Sequence, residues 1–224
     1  MKSIALVIPT AVVGFAVLIG FGVRAAHSQQ VPAPNMSFFV TSASQGKGGD
    51  LGGLGGADGH CQALAQAVGA GSKTWRAYLS IQPTGAASAA NARDRIGAGP
   101  WYNAKGVQIA TNLQDLHSDN NKINKTTALN EKGNIVNGRG DTPNQHDILT
   151  GSQHDGTAFP AGDDKTCHNW TSSTEGSAIV GHTDLIGNTQ GPNFWNFSHG
   201  TPGCGVPDLA RVGGAGFLYC FAVN

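Results

Sequence analysis

Between Gly56 and Gly69 the apolar positions Cys61, Leu64, Ala65 and Val68 fall at i, i+3, i+4 and i+7, the stripe of one helix face. Gly69 follows directly, a residue that tolerates the left-handed conformation on which many helices end. The period then changes. Trp75, Ala77 and Leu79 alternate with Arg76, Tyr78 and Ser80, which predicts a half-buried strand. Residues 216–223, apolar almost throughout, predict a strand buried on both faces, and residues 37–41 predict a first strand. A second helix is expected over 86–96, closed by Gly97. Segments 101–109 and 128–136 each carry Asn-x-Lys-Gly between short apolar runs, the pattern of a hairpin whose glycine supplies a positive φ. From 137 to 205 the chain is mostly polar and without period, broken only at 166–172 and 194–197. So long a loop region in a compact domain usually carries function. Leu64, Val68, Trp75, Leu79, Leu218 and Phe221 are the expected core.

Residues 1–28 stand apart. No charge occurs from Ser3 to Val23, Lys2 and Arg24 flank the run, and Ala25, Ala26 and Ser28 suit a signal peptidase. The alternative is a retained membrane anchor, against which Pro9, Gly14, Gly20 and Gly22 argue as poor helix residues. Residues 29–36, with Pro32 and Pro34, form an extended linker, and 37–224 fits one domain. Without Lys2 and Arg24, twelve basic residues face 14 acidic ones, so nothing marks a nucleic-acid or anionic-membrane surface. A membrane is met only through an uncleaved N-terminal segment. Thirty-three glycines and few charges argue for a loop-rich mixed fold, and four cysteines behind an export signal read as two disulfides. Four cysteines allow three pairings, and counting alone does not choose. Placing Cys61 on the buried helix face and Cys220 in the last strand favours joining them, with Cys167 to Cys204 nested inside. No Cys-x-x-Cys pair supports zinc on the cysteines.

Several familiar chemistries fail on spacing. The glycine-rich stretch 46–56 lacks both Gly-x-Gly-x-x-Gly and Gly-Lys-Ser/Thr, and no Gly-x-Ser-x-Gly elbow occurs. His146, Asp147, His154, Asp155, Asp163, Asp164 and His168 crowd one region and open a metal or acid–base reading. Their spacings match no ligand motif, and such residues more often build turns and caps, so no metal ligand and no catalytic residue is assigned.

Gly56-Ala57-Asp58 with Cys61, then Ala67-Val68-Gly69 and Arg76-Ala77-Tyr78-Leu79-Ser80, resembles the opening of the endostatin domain, a variant of the C-type lectin-like fold. Gly151-Ser152, Cys167-His168-Asn169-Trp170, Cys204 and the final Tyr219-Cys220-Phe221-Ala222-Val223-Asn224 continue the same order to the end of the chain. The chain is also similar to small exported bacterial proteins labelled lectins. The resemblance implies an α+β fold, two helices flanking a twisted, mostly antiparallel sheet with a long loop region, and the nested disulfides. It implies a secreted or periplasmic, non-enzymatic binding module for a glycan or cell-surface polysaccharide. The alternatives are a structural or adhesion module for a protein partner and a metal-dependent hydrolase. Asn144, Asp147, Asp155, Asn193, Trp195 and Asn196 are the candidate ligand residues, mixing an aromatic face with amide and carboxylate groups. Pro143-Asn144 and Trp195-Asn196 echo the calcium-dependent sugar motif without its acids, so calcium dependence is expected to be weak or absent, with no other cofactor.

Overall fold

The computed structural model describes residues 1–3, 31–85, 88–186 and 192–223. The leader at 1–28, its anchor alternative and the start of the linker therefore lie almost wholly outside the described residues.

The long terminal strand organises the molecule. In chain order the elements are β1 (Phe38–Val40), α1 (Gly53–Ala67), β2 (Trp75–Ala77), a 3-10 turn (Ala92–Arg95), β3 (Trp101–Tyr102), β4 (Gln108–Ala110) and α2 (Leu113–Leu116). Then come β5 (Asp147–Leu149), β6 (Ile179–His182), β7 (His199–Gly200), α3 (Val206–Val212) and β8 (Gly214–Ala222). Cys220 of β8 is opposite Phe39 of β1 and also opposite Ala77 of β2, so the two short strands lie on either side of it, both antiparallel. Nearer its start, β8 pairs in parallel with β5, and β5, β6 and β7 continue antiparallel to the edge. The result is a mixed six-stranded sheet in an α+β fold, with β3 and β4 as a separate hairpin.

Both faces of β8 are covered, which is why its sequence shows no polar alternation. Leu218, Cys220 and Ala222 join Phe39, Trp75, Leu79, Leu149 and Val180 in one core, against Cys61 and Ala65 of α1. Tyr219 and Phe221 join Phe38, Tyr78, Trp101, Ile109, Ile148 and Trp195 in the other. Trp75, Leu79, Leu218 and Phe221 are buried as expected, and Leu64 and Val68 pack half-buried at the margin. Disulfides join Cys61 to Cys220 and Cys167 to Cys204. They fit an oxidising, extracytoplasmic setting. Among the described residues no helix is long and apolar enough to cross a membrane.

Two expectations change. The helix over 86–96 reduces, in its described part, to the 3-10 turn at Ala92–Arg95. Ala90 pairs through both backbone groups with Ile81, and the Ala92 N–H donates to Ser80 Oγ, so a helical ladder has no free groups to start from. The second main helix is α3, with Pro207 in its first turn and Gly213 at φ 105 as its stop. The region 137–205 also holds β5, β6 and β7. Four of the five pairings described in the six-stranded sheet are antiparallel, β5–β8 being parallel.

Candidate metal centre

The sheet edge brings acid and imidazole onto one face. Asp147 of β5 stands opposite His182 of β6, and Val180, two residues back on the same face, stands opposite His199 of β7. Asp147, His182 and His199 therefore share a face, and His146 bends in from the residue before β5. Asp147 Oδ1 lies 3.2 Å from His146 Nε2 and 3.1 Å from His182 Nε2, while Oδ2 lies 3.5 Å from His199 Nε2. The rings of His146 and His182 stack at 4.2 Å, and His182 meets His199 edge-on at 5.1 Å. Leu149, Val180, Leu209 and Val212 line the apolar floor beside the carboxylate.

Each imidazole is oriented from behind. His146 Nδ1 donates to Asp184 Oδ1 at 2.8 Å, His182 Nδ1 to Asn193 Oδ1 at 3.1 Å, and His199 Nδ1 to the Gly200 carbonyl at 3.2 Å. These oxygens accept only, so Nδ1 carries a proton in each ring, and Nε2 is the atom left near Asp147, at 3.1–3.5 Å. Burial works against the Asp184 carboxylate, but hydrogen bonds from His146 and from the backbone N–H groups of Arg139 and Ile186 outweigh it. They hold it below the usual carboxylate range.

Asp147 is the anomaly. Its side chain is 0 % exposed, yet among the described residues neither carboxylate oxygen has a hydrogen-bond partner, nor does His182 Nε2. The nitrogens are near in distance and wrong in direction. A buried carboxylate left without hydrogen bonds costs on the order of several kcal/mol. A cation beside it removes that penalty. Ligand atoms of His146, Asp147 and His182 all lie within 4.8 Å of one another. Tetrahedral ligands bound at about 2.0–2.1 Å stand roughly 3.3 Å apart, close to the 3.2 and 3.1 Å from Asp147 Oδ1 to the His146 and His182 nitrogens. Imidazole-dominated sets suit zinc and its neighbours, whereas calcium takes six to eight oxygens. Nδ1–carboxylate and Nδ1–carbonyl bonds are the outer shell such ligands require.

The backbone explains the closeness. A Cβ on Gly181 would fall 1.9 Å from the Trp195 carbonyl, so only glycine lets the 194–198 segment pass over β6 and bring Asn193 onto His182. The segment is fixed by His182 N–H to the Phe194 carbonyl and Ser198 N–H to the Val180 carbonyl.

Of the six expected ligand residues, Asp147 is at the centre, Asn193 holds His182, and Asn144 accepts from the His146 N–H at 3.4 Å. Asp155 lies elsewhere, capping its own turn through Thr157. Trp195 is buried, its indole donating to the Leu116 carbonyl, and offers no face to solvent. Asn196 is buried as well, donating to Tyr78 Oη and to the carbonyls of Gln153 and His154. Sequence reasoning missed His182, Asp184 and His199, and grouped His154, Asp163, Asp164 and His168 with a site they do not reach. The available signal was His182 and Asp184, two apart, closing the short apolar run Ile179–His182.

Searches of protein-family models and of curated proteins returned no match for this chain.

Proposed function

We propose that this chain is an exported, non-enzymatic binding module that holds one transition-metal ion of the zinc class on His146, Asp147 and His182. The observation that carries the reading is Asp147, a fully buried carboxylate with no hydrogen bond among the described residues and with two imidazole nitrogens at 3.1 and 3.2 Å from one of its oxygens. His146 and His182 supply neutral Nε2 donors, Asp147 the neutralising charge, and Asp184 and Asn193 fix the rings. The purified protein, stripped with chelator and dialysed against zinc, is expected to carry one zinc per chain by elemental analysis. Asp147→Asn and His182→Ala should each lose it. Wild-type protein with no stoichiometric metal overturns the reading.

A second reading is a carbohydrate-binding module of the endostatin-like, C-type lectin-like class, secreted or periplasmic, with a cell-surface glycan as partner. Nested disulfides and the order of helix, strand and terminal strand support the fold resemblance. A cleft of about 310 Å³ lined by Gln82, Thr84, Asp164, Thr166, His168 and Asn169 supports a polyol ligand, because amide, hydroxyl and carboxylate groups converge in it. A glycan array decides this reading independently of the metal: sugar-specific signal supports it, and silence against protein-only capture favours an adhesion module.

A further inference from the structure

We infer that His199 is the fourth and last ligand of the proposed ion, making the centre a closed structural staple across β5, β6 and β7, not an open Lewis-acid site. The inference rests on the metal reading. His199 lies on the same sheet face as Asp147 and His182, with its Nδ1 against the Gly200 carbonyl and its Nε2 3.5 Å from Asp147 Oδ2. It is thus the nearest further imidazole to the carboxylate, one side-chain rotation from the two buried ones.

Its position decides the role. The side chain of His199 is 28 % exposed, against 4 % for His146, 1 % for His182 and none for Asp147, so it stands at the solvent side of the centre. The remaining sides are occupied by the stacked His146 and His182 rings and by the apolar floor of Leu209 and Val212. A substrate or water would have to approach the ion from the solvent side, where His199 stands. His199 Nε2 stands outside the 4.8 Å group formed by the other three ligand atoms, so it reaches the ion by a side-chain rotation. A half-buried residue on a two-residue edge strand has the room for that turn. Structural zinc sites are four-coordinate and closed, whereas catalytic ones keep a position open. The two disulfides secure β8 and the turn at Cys167, and neither reaches β6 or β7. The ion would be the cross-link of that edge.

Cobalt(II) substituted into the stripped protein reads coordination number directly, because four-coordinate cobalt absorbs visible light strongly. Azide then tests for an open position. Wild type is expected to bind one cobalt with a four-coordinate spectrum that azide leaves unchanged. His199→Ala should bind cobalt at least about tenfold more weakly and give a spectrum that azide shifts. His199→Asp, which restores a donor, should return the azide-insensitive form. An azide-sensitive wild type, or a His199→Ala protein with unchanged affinity and spectrum, overturns the fourth-ligand assignment while leaving the metal reading in place. Absence of stoichiometric cobalt in wild type overturns the metal reading and this inference with it.

Discussion

His117 shows how burial, as the largest cause, gives one side chain a pH signature. Its Nδ1 donates to the Leu113 carbonyl at 2.8 Å and its Nε2 accepts from Tyr78 Oη at 2.7 Å, so the neutral tautomer satisfies both nitrogens. Burial raises the Tyr78 phenol far above its ordinary range, which keeps it a donor, and burial lowers the His117 pKa. The Leu113 carbonyl and Asp155 pull the other way, Arg93 and His154 with it. With the folded pKa below the unfolded value of about 6.5, the unfolded chain binds the extra proton. The stability linked to His117 is therefore complete above about pH 6.5 and is lost as pH falls through the lowered folded pKa. In chelator, the thermal midpoint should drop as pH falls below about 6.5, and drop less in His117→Gln. Equal drops in the two proteins would show that His117 is not protected in its neutral form. None of this was legible in the sequence, where Leu113 and His117 are simply four residues apart and Tyr78 is a strand residue.

At the scale of elements, the turn at Cys167–Trp170 is the least regular and the most constrained. Four successive non-glycine residues have φ of 47, 53, 55 and 68, a left-handed turn that costs about 1–2 kcal/mol per residue. It persists because it is over-determined. Cys167 is bonded to Cys204, the Trp170 indole donates to the Ser80 carbonyl, and the His168 N–H donates to the Asp164 carboxylate. Asn169 clasps the backbone of Gln82 from both ends, accepting its N–H at 2.8 Å and donating to its carbonyl at 3.0 Å. Asn169→Ala removes this clasp and a residue type that tolerates positive φ. Urea denaturation should show a loss of about 2–3 kcal/mol, with Asn169→Asp losing less. An Asn169→Ala protein as stable as wild type would mean that the disulfide and Trp170 hold the turn by themselves. The local signals that were legible are those with a period or a turn chemistry. Helix α1, strand β8 and both Asn-x-Lys-Gly turns form where expected, the last because Asn103 and Asn130 each accept two backbone N–H groups across their turn. Strands β5, β6 and β7 escaped because they are short and carry the His and Asp residues that read as loop. Pairing across more than thirty residues creates the candidate centre, and no local spacing encodes that.

Over the whole molecule, the covalent and proposed metal cross-links divide the sheet between them. Cys61–Cys220 closes a separation of 159 residues and ties α1 to β8, a constraint on the unfolded chain of roughly 5 kcal/mol in the entropy model. Cys167–Cys204 fastens the left-handed turn beneath α3. The β5–β6–β7 edge has instead the buried Asp147, which without an ion is a source of instability and with one becomes an anchor. The two states make opposite predictions for one substitution. In chelator, Asp147→Asn should be at least as stable as wild type, because it removes a buried charge that has no hydrogen bond among the described residues while nearly keeping the volume. In zinc at about one hundred times the dissociation constant, wild type should gain about 2.7 kcal/mol, and Asp147→Asn nothing. For a domain of this size that is a rise in thermal midpoint of about 5–10 °C, well within calorimetric reach. A wild-type midpoint indifferent to zinc would leave the buried carboxylate without its counter-ion and remove the edge cross-link from the fold. An Asp147→Asn protein destabilised in chelator would instead show that the carboxylate is held by the imidazoles themselves, as a charged pair.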